Sequence, residues 1–344
     1  MTRALVTGGA GYFGDLLVRR LREGSHDVRI LDLCKPEDPY PGVESIQGDI
    51  RDPLVVARAC RGIDVVFHNV AQVPLAKDKH LFWSVNRDGT RTLLEACLAL
   101  NVRRLVYTST SAIYGVPKSN PVSEATEPAP REDYGKAKLA AESLCWEYAS
   151  RGLEISIVRP RTIIGHGRLG IFQILFEWIY QGKNIPVLDD GKNIYQFVHA
   201  DDLAEACILA SKAPGGQAYN CGASRFGTMR EVLENLCHRA GTGSQVKSLP
   251  AWLVVPAMEG CSKLGISPLG AYHSLMYGRS MFFDITKAQT ELQWTPKYSN
   301  DDMFTQSYSW YLENREHVLA RSGDASPHRS AVKEGALRVL QMFL

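Results

Sequence analysis

Ala4-Leu5-Val6-Thr7-Gly8-Gly9-Ala10-Gly11-Tyr12-Phe13-Gly14 is a short apolar run passing into Gly-x-x-Gly-x-x-Gly, and Asp15-Leu16-Leu17-Val18-Arg19-Arg20-Leu21 continues it with a helical pattern. A glycine turn between a strand and a helix lets the backbone approach a pyrophosphate. It also points the N–H groups of a helix N-terminus at the anion. A glycine motif alone is weak evidence; its place between strand and helix gives it weight. A second apolar run, Val28-Arg29-Ile30-Leu31, ends in Asp32. A carboxylate at that distance suits the ribose hydroxyls of a dinucleotide and repels a 2′-phosphate. NAD is therefore expected rather than NADP, with the nearby Lys35 acting in the opposite sense.

Outward from this turn, strand-like segments at 45–50, 64–68, 104–108 and 154–158 alternate with helical stretches near 53–61, 86–100 and 134–151. Continuous apolar strands joined by helices indicate a parallel sheet covered on both faces, with ligands beyond the carboxyl ends of the strands. The second half is less regular: helical pieces near 170–182, 201–212, 228–240 and 301–315 alternate with short strands such as 196–199. The expected fold class is α/β, a doubly wound parallel Rossmann sheet with a smaller C-terminal α/β substrate lobe. The expected division is an NAD-binding domain over 1–165, sharing later segments with the second lobe, a substrate-binding lobe over 166–320, and a tail with an amphipathic helix over 321–344.

The chain has 344 residues, 45% hydrophobic and 22% charged, with a net charge of +2. This is globular composition, and the charge gives no reason to expect nucleic acid as a partner. Eight cysteines, at 34, 60, 97, 145, 207, 221, 237 and 261, form no Cys-x-x-Cys and no metal-ligand spacing. They read as buried thiols in a reducing compartment, and no metal is expected. There is no long apolar run and no room for a signal peptide before the first strand, so a cytoplasmic enzyme is expected.

Tyr134-Gly135-Lys136-Ala137-Lys138 opens a helical segment. Residues four apart share a helix face, so Tyr134 and Lys138 project together. A tyrosine that exchanges protons near neutral pH needs its pKa lowered, and a neighbouring ammonium does this by stabilising the phenolate. The spacing alone is common by chance. Upstream, Tyr107-Thr108-Ser109-Thr110-Ser111-Ala112-Ile113-Tyr114-Gly115 carries hydroxyls to the ligand edge of the sheet. A hydroxyl there can hydrogen-bond a substrate oxygen as its charge changes. A solvated Ser/Thr turn is the plain alternative, and the glycine turn and the Tyr/Lys pair weigh against it.

Over residues 3–315 the chain resembles the extended short-chain dehydrogenase/reductases, the NAD-dependent epimerase/dehydratase family, and in pattern it is similar to the 3β-hydroxysteroid dehydrogenase-like members. The resemblance rests on the Gly8–Gly14 turn, Gly48-Asp49-Ile50-Arg51-Asp52, His68-Asn69-Val70-Ala71, Val85-Asn86 with Gly89-Thr90, and the Thr108–Gly115 segment. It continues through Tyr134/Lys138, Arg159-Pro160, the 197–204 segment, Tyr219-Asn220-Cys221-Gly222 and Asp284-Ile285-Thr286-Lys287-Ala288. It implies that Tyr134 is the catalytic acid/base, that Lys138 lowers its pKa and holds the nicotinamide ribose, and that Ser111 is the catalytic hydroxyl, with Ser109 and Thr110 close enough to share its work. It implies an NAD site built from Gly8, Gly11, Tyr12, Phe13, Gly14, Asp32, Asp49, Ile50, Ala71, Tyr134, Lys138 and Pro160. Asp201 and Asp202 read as organisers of the second lobe, with His199 as their structural partner. A homodimer through the helices near 86–100 and 134–151 is also implied.

On substrate class, several departures weaken a sugar-nucleotide reading. Sugar-nucleotide members usually carry Asn two residues after the proline of Arg-Pro, and the run Arg159-Pro160-Arg161-Thr162-Ile163-Ile164-Gly165 has none. They also carry Arg-x-Gly-Asp before the late Asp-x-x-Lys-Ala, where this chain has Arg279 in a different pattern. Two segments, 171–180 and 249–258, are unusually apolar for exposed loops and suit a lipid chain, or ordinary core packing. The leading expectation is an oxidoreductase acting on a hydrophobic 3-hydroxy/3-oxo lipid, sterol or sphingoid-type small molecule. A nucleotide-sugar 4-epimerase or dehydratase with tightly bound NAD is the runner-up, and a non-catalytic NAD(H) sensor is a third reading. The basic, apolar C-terminus, with Arg329, Lys333 and Arg338 beside Leu337, Leu340, Phe343 and Leu344, suggests peripheral contact with an anionic membrane, or docking on protein.

Overall fold

The computed structural model describes residues 2–73, 79–168, 171–263, 276 and 278–320; the expected C-terminal amphipathic helix lies outside them. Strand β1 (Arg3–Thr7) leads through the glycine turn into helix α1 (Tyr12–Glu23), then β2 (Asp27–Asp32) and β3 (Glu44–Gln47). Helix α2 (Pro53–Cys60), β4 (Val65–His68), a short helical turn at Lys79–Leu81 with a π-helical stretch at Phe82–Gly89, helix α4 (Thr90–Ala99; the turn counts as α3) and β5 (Arg104–Thr108) follow. Helix α5 (Asp133–Ser150) and β6 (Glu154–Pro160) complete the first half. With β11 (Gln217–Cys221), returned from the second half, these strands form one seven-stranded parallel sheet in the order β11-β6-β5-β4-β1-β2-β3.

Side-chain alternation explains the two covered faces. Ala4 and Val6 of β1 enter one apolar cluster with Leu17 and Leu21 of α1; Leu5 enters the other with Leu94 of α4 and Leu144 of α5. Chain order reverses at β1, which has β2 on one side and β4 on the other. A crevice opens at such a switch point, beyond the strand carboxyl ends.

After β6 the chain leaves the sheet. Strand β7 (Thr162–Ile164) pairs with β10 (Phe197–His199), and β8 (Ile185–Leu188) pairs with β13 (Val246–Leu249). The short β9 (Ile194–Tyr195) and β12 (Gly227–Thr228) form a third, antiparallel pair. Helices α6 (Ile171–Tyr180), α8 (Met229–Ala240) and Asn300–Ala320 pack on these pairs around Phe176, Trp178, Leu236 and Phe304. The two apolar segments weighed as loops are therefore structured. The first is α6, inside the helical stretch expected near 170–182; the second is the end of β13 followed by helix α9 (Ala251–Lys263).

Asp201 and Asp202 sit in the first turn of helix α7 (Ala200–Ala210). Asp202 accepts N–H bonds from Lys297 (3.0 Å) and Tyr298 (3.2 Å), which joins two segments of the second half, and Asp201 pairs with Arg20 of α1 at 2.6 Å, which ties the second half to the first. Cys60, Cys97, Cys145, Cys207, Cys221 and Cys237 are buried, whereas Cys34, expected as a buried thiol, is exposed. No helix among the described residues is long and apolar enough to cross a membrane.

Candidate active site

One cavity of about 590 Å³ runs from the glycine turn, past the end of β5 and the start of α5, into the second lobe. Gly8, Gly11, Tyr12, Phe13, Gly14, Asp32, Asp49, Ile50, Ala71, Ser111, Tyr134, Lys138 and Pro160 all line it. The cavity thus brings together the candidate catalytic and NAD-binding residues named from the sequence.

At the glycine turn, Gly8 has φ +73°, and a Cβ on Gly14 would lie 2.0 Å from the Gly8 carbonyl oxygen. Only hydrogen fits there, so α1 starts directly against the turn and presents its first N–H groups to the cavity end. Asp32 accepts hydrogen bonds from Ala10 N–H (3.0 Å) and Cys34 N–H (3.0 Å), which ties β2 to the turn. A carboxylate has about four lone-pair sites, so Asp32 keeps capacity for ligand hydroxyls. Asp49 is held by Arg51 at 2.6 Å, and that hydrogen bonding keeps its carboxyl below the ordinary range.

Tyr134 stands at the head of α5 because Glu132 caps that helix, accepting from Tyr134 N–H and Gly135 N–H at 2.7 Å each. A Cβ on Gly135 would be 2.7 Å from the Ala112 carbonyl oxygen, so glycine lets α5 close against the 3₁₀ turn Ser111–Tyr114. This is how Ser111 and Tyr134, distant in sequence, come to share one wall. Tyr134 is buried, edge-on to Phe82 with ring centroids 6.1 Å apart. Lys138, one turn on, is 1% exposed; its Nζ donates to the Thr108 carbonyl at 2.7 Å and lies 4.1 Å from the Tyr107 ring centroid. Burial pushes Lys138 down to about 7, so its charge needs a partner such as a phenolate to be retained at neutral pH. Thr110 is used locally, accepting from Ala112 N–H at 3.2 Å, while the Ser109 hydroxyl is buried on the cavity wall without a protein partner.

Three residues that sequence reasoning passed over complete the site. Glu142, a further turn along α5, meets Arg159 of β6 through two oxygens, at 3.0 Å from Nε and 2.6 Å from Nη2. Burial opposes the Arg159 charge, and the carboxylate more than restores it, leaving the guanidinium above its ordinary pKa. Arg159 also donates to the Tyr114 hydroxyl (2.9 Å), which donates to Asn220 of β11 (3.0 Å). The Tyr134-x-x-x-Lys138-x-x-x-Glu142 spacing was the available signal. Arg161, directly after Pro160, donates from Nη1 to Ser111 Oγ at 2.8 Å. Arg168 lines the same cavity over the Tyr12 ring, 5.5 Å from its centroid. By contrast Arg279, which stands near the place of the arginine in the sugar-nucleotide pattern, is exposed and away from the cavity wall.

His166, His199 and Asp201 also converge, with one nitrogen or oxygen each within 4.8 Å, which their spacing did not show. Asp201 is already paired with Arg20, and His199 Nδ1 accepts from Asp201 N–H at 3.2 Å as the cap of α7. Burial lowers His199 to about 4, so this cap is neutral near pH 7.

The family model for the NAD-dependent epimerase/dehydratase family matches residues 4–222. The chain is 53% identical to the uncharacterized protein y4nG of Sinorhizobium fredii, over 99% of this chain and 86% of that one. It is 28% identical to a 3β-hydroxysteroid dehydrogenase/Δ5→4-isomerase of Mycobacterium tuberculosis, over 92% of each chain. Among solved structures, a complex of UDP-glucose 4-epimerase from Thermus thermophilus with NAD superposes with a TM-score of 0.73 at 27% identity, over 90% of this chain and 99% of that one.

Proposed function

Since the chain belongs to the NAD-dependent epimerase/dehydratase family, we propose that it is an oxidoreductase that moves hydride between NAD and the carbinol or carbonyl carbon of a hydrophobic 3-hydroxy/3-oxo lipid, sterol or sphingoid-type substrate. The observation that carries this reading is the far wall of the cavity. Beyond Ser111 and Tyr134 it is formed by Phe172, Leu175, Trp178, Leu188, Leu233 and Phe304. Such a wall stabilises apolar chains and leaves the phosphates of a nucleotide without partners.

NAD supplies the hydride acceptor or donor, held along the glycine turn, Asp32, Asp49, Ile50, Ala71 and Pro160. In oxidation Ser111 holds the substrate oxygen, Tyr134 as phenolate takes its proton, and Lys138 stabilises that phenolate; reduction reverses the proton's path. The likeness to UDP-glucose 4-epimerase keeps nucleotide-sugar epimerisation as the second reading. The cavity's arginines do not strengthen it. Arg161 lies against Ser111, at the reacting oxygen, whereas a sugar diphosphate sits a ring's width from the reacting carbon. Arg168 lies over Tyr12, on the cofactor side.

With NAD present, long-chain secondary alcohols should be oxidised, and kcat/KM should rise roughly fourfold for each added methylene that the wall buries, at ~0.8 kcal/mol per CH₂. UDP-glucose and UDP-galactose should not interconvert. Interconversion without lipid oxidation would install the epimerase reading, and turnover of neither by folded, NAD-loaded protein would favour an NAD(H) sensor.

Cofactor choice yields a further expectation. NADH should bind more tightly than NADPH, because Asp32 repels a 2′-phosphate. Asp32→Ala should weaken both, since the glycine turn loses its tie through Ala10, and should narrow the gap between them. Titration followed by nicotinamide fluorescence reads both constants; equal affinities in the wild type would mean that Lys35 dominates.

A further inference from the structure

The charges on the cavity wall are divided by place. Its acidic residues, Asp32 and Asp49, are both at the glycine-turn end; of its basic residues, Lys138 and Arg161 are around the hydroxyls and Tyr134, and Arg168 is over Tyr12. Arg161 is the most unusual of these. It is 1% exposed, yet it has no carboxylate partner among the described residues. Nη1 reaches Ser111 Oγ at 2.8 Å and the Met281 sulfur at 3.4 Å, while Nε and Nη2 are buried without any hydrogen-bond partner. The Tyr195 and Phe283 rings, 4.7 Å and 5.7 Å from the guanidinium carbon, offer cation–π attraction, and the Tyr195 hydroxyl is turned to Thr162 at 2.9 Å.

Arg159, two residues earlier, shows what this leaves unused. Its Nε and Nη2 take the two oxygens of Glu142 side by side. The same edge of Arg161 meets no acceptor among the described residues. A buried guanidinium is costly unless paired, and its fork matches a carboxylate bidentately.

Resting on the oxidoreductase reading above, we propose that the substrate carries a carboxylate next to its reacting carbon and that Arg161 receives it: the substrate class is a hydrophobic 3-hydroxy or 3-oxo acid. The contact between Nη1 and Ser111 places the anion within a few bonds of the oxygen held by Ser111, as in a β-hydroxy acid. The apolar wall formed by α6, α8 and Phe304 takes the remainder of the molecule. In oxidation the carbinol C–H leaves as hydride to NAD and the O–H proton goes to Tyr134; the carboxylate is unchanged and serves recognition alone.

Oxidation of 3-hydroxydecanoate and of its methyl ester by the NAD-loaded protein provides the test, followed by nicotinamide absorbance. The acid should be preferred in kcat/KM by roughly 10- to 100-fold, the scale of a hydrogen bond to a charged group. Arg161→Met should remove that preference, chiefly through the KM of the acid, and Arg161→Lys should restore part of it. The wild-type comparison needs no variant, so it decides the matter even if Arg161→Met folds poorly. Equal use of acid and ester by the wild type would overturn the carboxylate assignment and leave the oxidoreductase reading standing. So would a preference unchanged in a folded Arg161→Met, with Arg161 then a structural cation for Ser111. Oxidation of neither compound, with UDP-glucose epimerised, would overturn the reading on which the assignment rests.

Discussion

Tyr134→Phe is expected to lower turnover by at least about 100-fold while leaving NADH affinity little changed, the scale of a lost general acid–base group. The substitution removes one oxygen and keeps the ring, so the packing against Phe82 and the Glu132 cap of α5 are undisturbed. Lys138 keeps its bond to the Thr108 carbonyl and its place over Tyr107. The two effects should therefore separate: steady-state oxidation collapses, and a fluorescence titration with NADH does not. Near-normal activity of the variant would transfer the proton step to another group, with the buried Ser109 hydroxyl the first to examine.

Glu142→Ala is expected to destabilise the protein by about 3–5 kcal/mol, because it leaves the Arg159 charge buried and unpaired. The pair is deep, with side chains 1% and 6% exposed. Arg159 also holds Tyr114, and through it Asn220, so the loss extends to the turn that carries Ser111. Urea unfolding measures the change. Replacing both partners together, Glu142→Leu with Arg159→Met, should be much milder, since no charge is then stranded. A Glu142→Ala midpoint equal to that of the wild type would mean that the Tyr114 oxygen alone satisfies the guanidinium.

Much of the fold could be read from short-range pattern. The glycine turn announces itself because Gly8 needs positive φ and Gly14 cannot carry a Cβ. The parallel strands announce themselves because burial on both faces leaves unbroken apolar runs such as 4–6 and 105–107. Tyr134 and Lys138 are one helical turn apart, so their partnership is a matter of helix geometry. The strand-like segment at 45–50 overestimates β3, which ends at Gln47, because Gly48 turns the chain out of the sheet towards the cavity, where Asp49 and Ile50 line its wall.

Sequence by itself determined the Rossmann half, the glycine turn and the Tyr134/Lys138 pair, since each depends on residues a few positions apart. Only the tertiary structure decided that α6 faces both a core and the cavity, because its polar stripe, Gln173 and Glu177, is itself buried, with Glu177 taken up by Tyr311 and Arg315. Only the tertiary structure separated the two arginines that flank Pro160. Arg159 meets Glu142 from α5 and becomes part of the frame; Arg161 meets Ser111, and its Nε and Nη2 have no acceptor among the described residues. Identical side chains acquire different chemistry there because burial removes the solvent that would otherwise equalise them, leaving each charge to the partners that the fold brings within reach.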